Sequence, residues 1–255
     1  MKIWHMSGAG NDFVVLDARN QALDFPSLAK DLCARTGADG FMALDHSAIA
    51  DFRLHFYNSD GSRGEMCGNG SRCICRFAYE LGIAGAQMVI ETDAGLVPGR
   101  RLTESEYTVQ LTIPTALDPQ RKENVAYVEV GCPHAVLELP GLSWDDRQAL
   151  RERAKALRFD PAFPKGANVN FYTWLGPGHI RILTYERGVE DYTMACGTGT
   201  GATAAVLWCS GNLPSGKLIA ENPGGTLTVS VEGENGVIRK LMLQGPTEIV
   251  NIFDM

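Results

Sequence analysis

The chain has 255 residues, 45% hydrophobic and 21% charged, the balance of an ordinary globular protein and enough for one large domain or two of about 125 residues each. Its formal net charge of -7, with no long basic run, argues against a nucleic-acid partner. No apolar run approaches the roughly 20 residues that span a bilayer, so no membrane segment is expected.

The opening Met1-Lys2-Ile3-Trp4-His5-Met6 lacks the apolar core of a signal peptide, and a cytoplasmic location is expected. Cysteines stand at 33, 67, 73, 75, 132, 196 and 209, an odd number in a chain of this size. They read as free thiols, metal ligands or catalysts, not as a disulfide framework. In chain order, Phe52 to Tyr57 alternates as a strand. A polar, glycine-rich loop follows, then Cys67-Gly68-Asn69-Gly70 and a helical run from Ser71 to Leu81, stopped at Gly82. Gln87 to Glu91 is a second strand. Two prolines and a polar run at Ile113-Pro114-Thr115-Ala116-Leu117-Asp118-Pro119 mark a join. Beyond it the pattern returns: strand His179 to Tyr185, then Cys196-Gly197-Thr198-Gly199, helix Gly201 to Cys209, Gly211, and strand Lys217 to Glu221. Ala202, Ala204 and Ala205 suit a helix packed closely on all sides.

The second series repeats the first. Arg53-Leu54-His55-Phe56-Tyr57-Asn58 matches Arg181-Ile182-Leu183-Thr184-Tyr185-Glu186 at an offset of 128, and the two cysteines of the Cys-Gly-X-Gly motifs are 129 apart. Glu91 and Glu221 are 130 apart, and Gly10-Asn11-Asp12 matches Gly131-Cys132-Pro133 at 121. Four matches in one order imply an internal duplication. The expected fold is α/β of the α+β type: two pseudo-symmetric domains, each a mixed, largely antiparallel sheet wrapped around a central helix, with the active site in the cleft between them. The domains are placed at 1–116, with a last strand at about 247–255 added, and 117–246.

Cys67 and Cys196 each precede a helix. Helix N-termini carry unpaired N–H groups and partial positive charge, which favour a thiolate and can grip a carboxylate. A depressed thiol pKa is therefore expected at both. Two sulfurs flanking one carbon suit stereoinversion, where a proton leaves one face and arrives at the other. Other readings of the same residues are buried structural cysteines, a metal cluster of Cys67, Cys73 and Cys75, a cysteine hydrolase with Cys67 and His134, and a nucleotide-binding loop at 196–201. The cluster lacks metal-ligand spacing, the hydrolase leaves the second cysteine unexplained, and the loop has no GxxxxGK motif. No metal site is expected.

The chain resembles the diaminopimelate epimerases. The resemblance rests on Gly8-Ala9-Gly10-Asn11-Asp12-Phe13, Tyr57-Asn58-Ser59-Asp60-Gly61-Ser62, Met66-Cys67-Gly68-Asn69-Gly70, Asn168-Val169-Asn170-Phe171, Glu186-Arg187-Gly188 and Ala195-Cys196-Gly197-Thr198-Gly199. It runs nearly end to end. It implies conversion of LL-diaminopimelate to the meso form, in lysine and peptidoglycan synthesis, without pyridoxal phosphate or another cofactor. By position it implies Cys67 and Cys196 as the acid/base pair. Gly68, Asn69, Gly197 and Thr198 would hold the reacting carboxylate, and Asn11, Asn58, Asn168, Glu186 and Arg187 the rest of the substrate. A small-molecule amino acid is the expected partner, with a homodimer as the default assembly. Two departures touch the pocket. Gly131-Cys132-Pro133-His134 stands where the family has Gly-Asn-Pro-His, making Cys132 and His134 further pocket residues. The segment Val189-Glu190-Asp191-Tyr192-Thr193-Met194 is one residue longer than the common form. A racemase of another amino acid with the same fold, such as histidine, is the alternative. The proline racemases normally carry His where Asn69 stands.

Overall fold

A computed structural model describes residues 1–64 and 66–254. The chain forms two compact units, Met1–Gln110 with Gln244–Met255, and Leu111–Leu243. The first contains β1 (Lys2–Ser7), β2 (Asp12–Asp17), α1 (Phe25–Thr36), β3 (Gly40–Asp45), β4 (Phe52–Asn58), β5 (Arg63–Gly64), α2 (Gly68–Glu80), β6 (Gln87–Thr92), β7 (Gly95–Arg101) and β8 (Glu106–Gln110). The second contains β9 (Ala116–Lys122), β10 (Val125–Val130), β11 (Cys132–Glu138), α3 (Arg147–Arg158), β12 (Asn168–Gly176), β13 (His179–Glu186), β14 (Asp191–Tyr192), α4 (Gly197–Cys209), β15 (Lys217–Asn222) and β16 (Gly225–Glu234). β17 (Val237–Pro246) returns the chain to the first unit, which ends with β18 (Glu248–Asp254).

The units share one pairing scheme, as a duplication requires. β1 and β2 pair antiparallel, β2 and β3 parallel, β3 and β4 antiparallel, and β4 takes β5 antiparallel and β6 parallel. In the second unit β10, β11, β12, β13, β14 and β15 repeat each step with the same sense. β1 is flanked by β18, and β10 by β9. The repeated acidic residues are structural. Glu91 accepts from Arg53 opposite it on β4, and Glu221 lies 3.6 Å from Arg181 opposite it on β13.

Of the two prolines in the expected join, Pro114 precedes β9 and Pro119 lies within it. Leu111 N–H already donates to the Leu241 carbonyl at 2.8 Å, so the chain has joined the second unit's hydrogen bonding before Pro114. Each unit packs an outer helix on its sheet. Ala29 and Leu32 of α1 bury against Phe41 and Tyr57, while Ala154 and Leu157 of α3 bury against Phe171 and Tyr185. A large apolar side chain contributes about 1.5–3 kcal/mol when fully buried. The other helix of each unit is held among strands: α2 packs on β2, β3, β7 and β8, and α4 on β10, β11, β12, β15 and β16. Ala202, Ala204 and Ala205 are fully buried, as small residues permit in such a helix. Within the described residues, no helix is long and apolar enough to cross a membrane.

Both central helices begin earlier than expected, at Gly68 and Gly197, so each cysteine is the N-cap itself. The helical glycines allow close packing, not loop mobility. A Cβ at Gly70 would sit 3.0 Å from Met42 Sδ, and one at Gly201 only 2.4 Å from Leu111 Cδ1. Sheet contact outweighs the 0.5–1 kcal/mol that a helical glycine costs.

Candidate active site

In the first unit, Cys67 adopts the extended backbone of an N-cap (φ -127°, ψ 120°) and α2 opens with Gly68 and Asn69, both buried. The first N–H groups of a helix have no intrahelical partner. Asn11 stands one residue before β2. Its Nδ2 donates to Asp39 Oδ2 at 2.7 Å, which turns Oδ1 toward Cys67, with Sγ 3.7 Å away. Asp39 also accepts from Asp12 N–H at 2.9 Å. Asp39 therefore orients the Asn11 amide, a role that nothing local in the sequence announces. Asn58 ends β4 and is exposed. Its Nδ2 donates to Ser62 Oγ at 2.9 Å and closes its own turn.

In the second unit the residues are drawn together more tightly. Cys196 is buried and caps α4, its Sγ accepting from Gly199 N–H at 3.3 Å. Thr198 Oγ1 lies 3.5 Å from Cys196 Sγ and 3.9 Å from Cys132 Sγ. Cys132, at the start of β11, is also reached by Asn168 Nδ2 at 3.1 Å and His134 Nε2 at 3.3 Å. Arg187 N–H donates to Asn168 Oδ1 at 2.7 Å, and its guanidinium reaches outward to the Lys165 carbonyl at 3.0 Å. Glu186 ends β13 near Cys196 and adds negative charge there.

Burial raises the Cys196 thiol well above the ordinary thiol value. The Glu186 charge adds to the rise, while the Thr198 and Gly199 hydrogen bonds oppose it. This reverses the expected depression at this cysteine. Taking the thiolate out of water costs more than the helix terminus and two donors return. Burial raises Cys132 likewise.

Cys73 and Cys75 are fully buried in α2, on different sides. Cys73 Sγ faces Gly8, and Cys75 Sγ faces Gly99. No group of three His, Cys, Asp or Glu among the described residues is arranged to hold a metal. Nothing in the sequence pattern marks Arg72, between Ser71 and Cys73. It is fully buried, and Nη1 reaches the Gly68 carbonyl at 3.4 Å. The longer segment at 189–194 folds toward α3. Glu190 accepts from Arg158 at 2.9 Å, Asp191 pairs with Arg151 at 2.7 Å, and the Tyr192 ring meets Tyr185 edge-on at 5.4 Å.

His134 has no exposed surface, and burial drives its pKa down to about 3. The unfolded imidazole takes up a proton near pH 6.5, the folded one only near 3. Between these values the unfolded state binds more protons, so stability falls with falling pH by up to about 1.4 kcal/mol per unit. Urea unfolding at several pH values between 4 and 7 is expected to show a shallower loss in His134→Gln than in the unmodified chain. Equal pH slopes would contradict a buried neutral imidazole.

The diaminopimelate epimerase family profile matches residues 3–111 and 126–250. A diaminopimelate epimerase of Flavobacterium psychrophilum is 35% identical, covering 98% of each chain. That of Aquifex aeolicus is 37% identical over 91% of this chain and 88% of its own. Two solved structures share the fold. A PhzF-family phenazine biosynthesis protein of Bacillus anthracis has a TM-score of 0.75 at 16% identity, covering 100% of this chain and 98% of its own. A hydroxyproline epimerase of Agrobacterium vitis has a TM-score of 0.73 at 18% identity, covering 99% of this chain and 91% of its own. With matched segments in both units and sequence relatives at this level along nearly the whole chain, the protein is an isomerase that belongs to the diaminopimelate epimerase family.

Proposed function

We propose that the protein converts LL-diaminopimelate to the meso form, with Cys67 and Cys196 as the two proton-transferring groups and no pyridoxal phosphate, in the cytoplasm and as a homodimer. The observation that carries this reading is the duplicated N-cap. In each unit a cysteine of extended backbone caps the start of a buried helix. One sulfur, as thiolate, takes the α-proton, and the other, as thiol, returns one to the opposite face. The N–H groups of Gly68, Asn69, Gly197 and Thr198 stabilise charge building on the α-carboxylate. Asn11, Asn58, Asn168, Glu186 and Arg187 hold the remainder, Arg187 as a bidentate partner for a carboxylate.

A second reading, a racemase of another amino acid such as histidine, is favoured by one observation. Asn168 Nδ2 is engaged by Cys132 Sγ at 3.1 Å, and a thiol replaces an amide at 132. A thiol is a poor hydrogen-bond partner for a distal carboxylate. The test is α-proton exchange by NMR in deuterated buffer with reductant, offering LL-diaminopimelate, histidine and other amino acids separately. Exchange and inversion with diaminopimelate are expected. Exchange only with another amino acid would reassign the substrate, and exchange with none would return the chain to a binding role.

A further inference from the structure

Two buried amides, Asn168 and Asn170, set the direction of the polar contacts around Cys132. Asn170 Nδ2 donates to the Ala135 carbonyl at 3.0 Å, and Asn170 Oδ1 accepts from Thr184 Oγ1 at 2.9 Å. A carbonyl can only accept, so this amide has one orientation. The other Nδ2 hydrogen has His134 Nδ1 at 3.2 Å as its nearer acceptor and the Asn168 carbonyl farther off at 3.5 Å, and an N–H on Nδ1 would oppose it, so Nδ1 carries no proton. The neutral imidazole therefore holds its proton on Nε2, which faces Cys132 Sγ at 3.3 Å. Asn168 is oriented by the same logic. Oδ1 accepts from the Arg187 N–H, and Nδ2 donates to Cys132 Sγ. Two N–H groups thus point at one sulfur. The hydrogen of that thiol is left with Thr198 Oγ1 as its acceptor, and the Thr198 hydroxyl with Cys196 Sγ as the group to which it donates.

We propose that Cys132 is a positioning residue for Cys196: it heads a one-way hydrogen-bond chain through Thr198 that supports the Cys196 sulfur when that sulfur carries negative charge. The proposal rests on Cys196 being an acid/base group. The charged groups that act on the pair are Glu186 from the end of β13, which opposes a thiolate at both sulfurs, and Arg187, which favours one at Cys132. The third titratable neighbour, His134 from β11, is neutral. In this setting a donor to Cys196 shifts its thiol–thiolate balance directly.

The test reads the sulfur, not turnover. The protein is treated with limiting iodoacetamide at one alkaline pH below the Cys196 midpoint, and labelling of the Cys196 peptide is timed by mass spectrometry. Below the midpoint the rate follows the thiolate fraction and, more weakly, its nucleophilicity, so a rise of one unit in pKa slows labelling by about threefold to tenfold. Thr198→Val and Cys132→Ala are each expected to slow labelling by about that factor. The Cys132→Ala/Thr198→Val double variant is expected to be no slower than either alone, because the two residues act in series. Cys132→Ser keeps a hydrogen to donate and is expected to stay near the unmodified rate. Unchanged or faster labelling in Thr198→Val, or a double variant slower by the product of the two single effects, overturns the chain. Should Cys132→Ala not fold, Thr198→Val against Cys132→Ser/Thr198→Val still decides, with equal slow rates expected. No substrate enters this measurement, so failure to invert diaminopimelate would be seen separately and would not mimic either result.

Discussion

Cys67→Ala and Cys196→Ala are each expected to lower stereoinversion by about 10³-fold or more, at the upper end of what one acid/base group contributes. The loss should be one of inversion above all. With one sulfur gone, the other can still take an α-proton and return one to the same face. Residual exchange therefore outlives inversion. Serine at either position is expected to leave slow exchange on one face. The check is to follow deuterium incorporation by NMR and the change of configuration by chiral chromatography on the same samples. Full turnover by either alanine variant would end the two-base reading. The two variants need not be equal. Cys196 is buried beside Glu186 with its thiol form favoured, whereas Cys67 is half-buried and faces the Asn11 amide oxygen.

Gly199→Ala should be strongly damaging for a single added methyl group. Its Cβ would lie 2.2 Å from Asn170 Oδ1 and 3.2 Å from both Cys196 Sγ and Thr184 Oγ1. Asn170 cannot give way cheaply, because the same amide is bonded to Ala135, His134 and Thr184 with no exposed surface. Overpacking costs about 1–3 kcal/mol, and stranding a buried polar group costs a similar amount. A loss of about 3 kcal/mol or more, near 10 °C in Tm, is expected, together with a displaced Cys196 and little inversion. Gly85→Ala is the control. The nearest atom to a Cβ there is the Gln87 carbonyl oxygen at 3.9 Å, so its melting temperature should match the unmodified chain. A Gly199→Ala protein that melts with the control would show that the Asn170 network yields after all.

The duplication, the element types and the two repeated cysteines are legible along the chain. These are local or periodic signals. Alternation marks β4 and β13, 3.6-residue spacing marks α2, a run of small residues marks α4, glycine stops end both helices, and a repeated Cys-Gly-X-Gly marks the start of each. Tertiary structure alone decided the rest. One of the linker-like prolines, Pro119, lies inside β9, because strand membership depends on a partner, here β10. The motif glycines became the first turns of helices, because only the opposing side chains show that a Cβ would not fit. The Cys196 thiol moved up, not down, because desolvation is a property of everything packed around it. Likewise the orientations of Asn11, Asn168 and Asn170 are set by partners between 14 and 35 residues away. A sequence pattern registers what a residue does to its neighbours along the chain. Burial, close approach and hydrogen-bond direction are set by neighbours in space, which only the fold brings together.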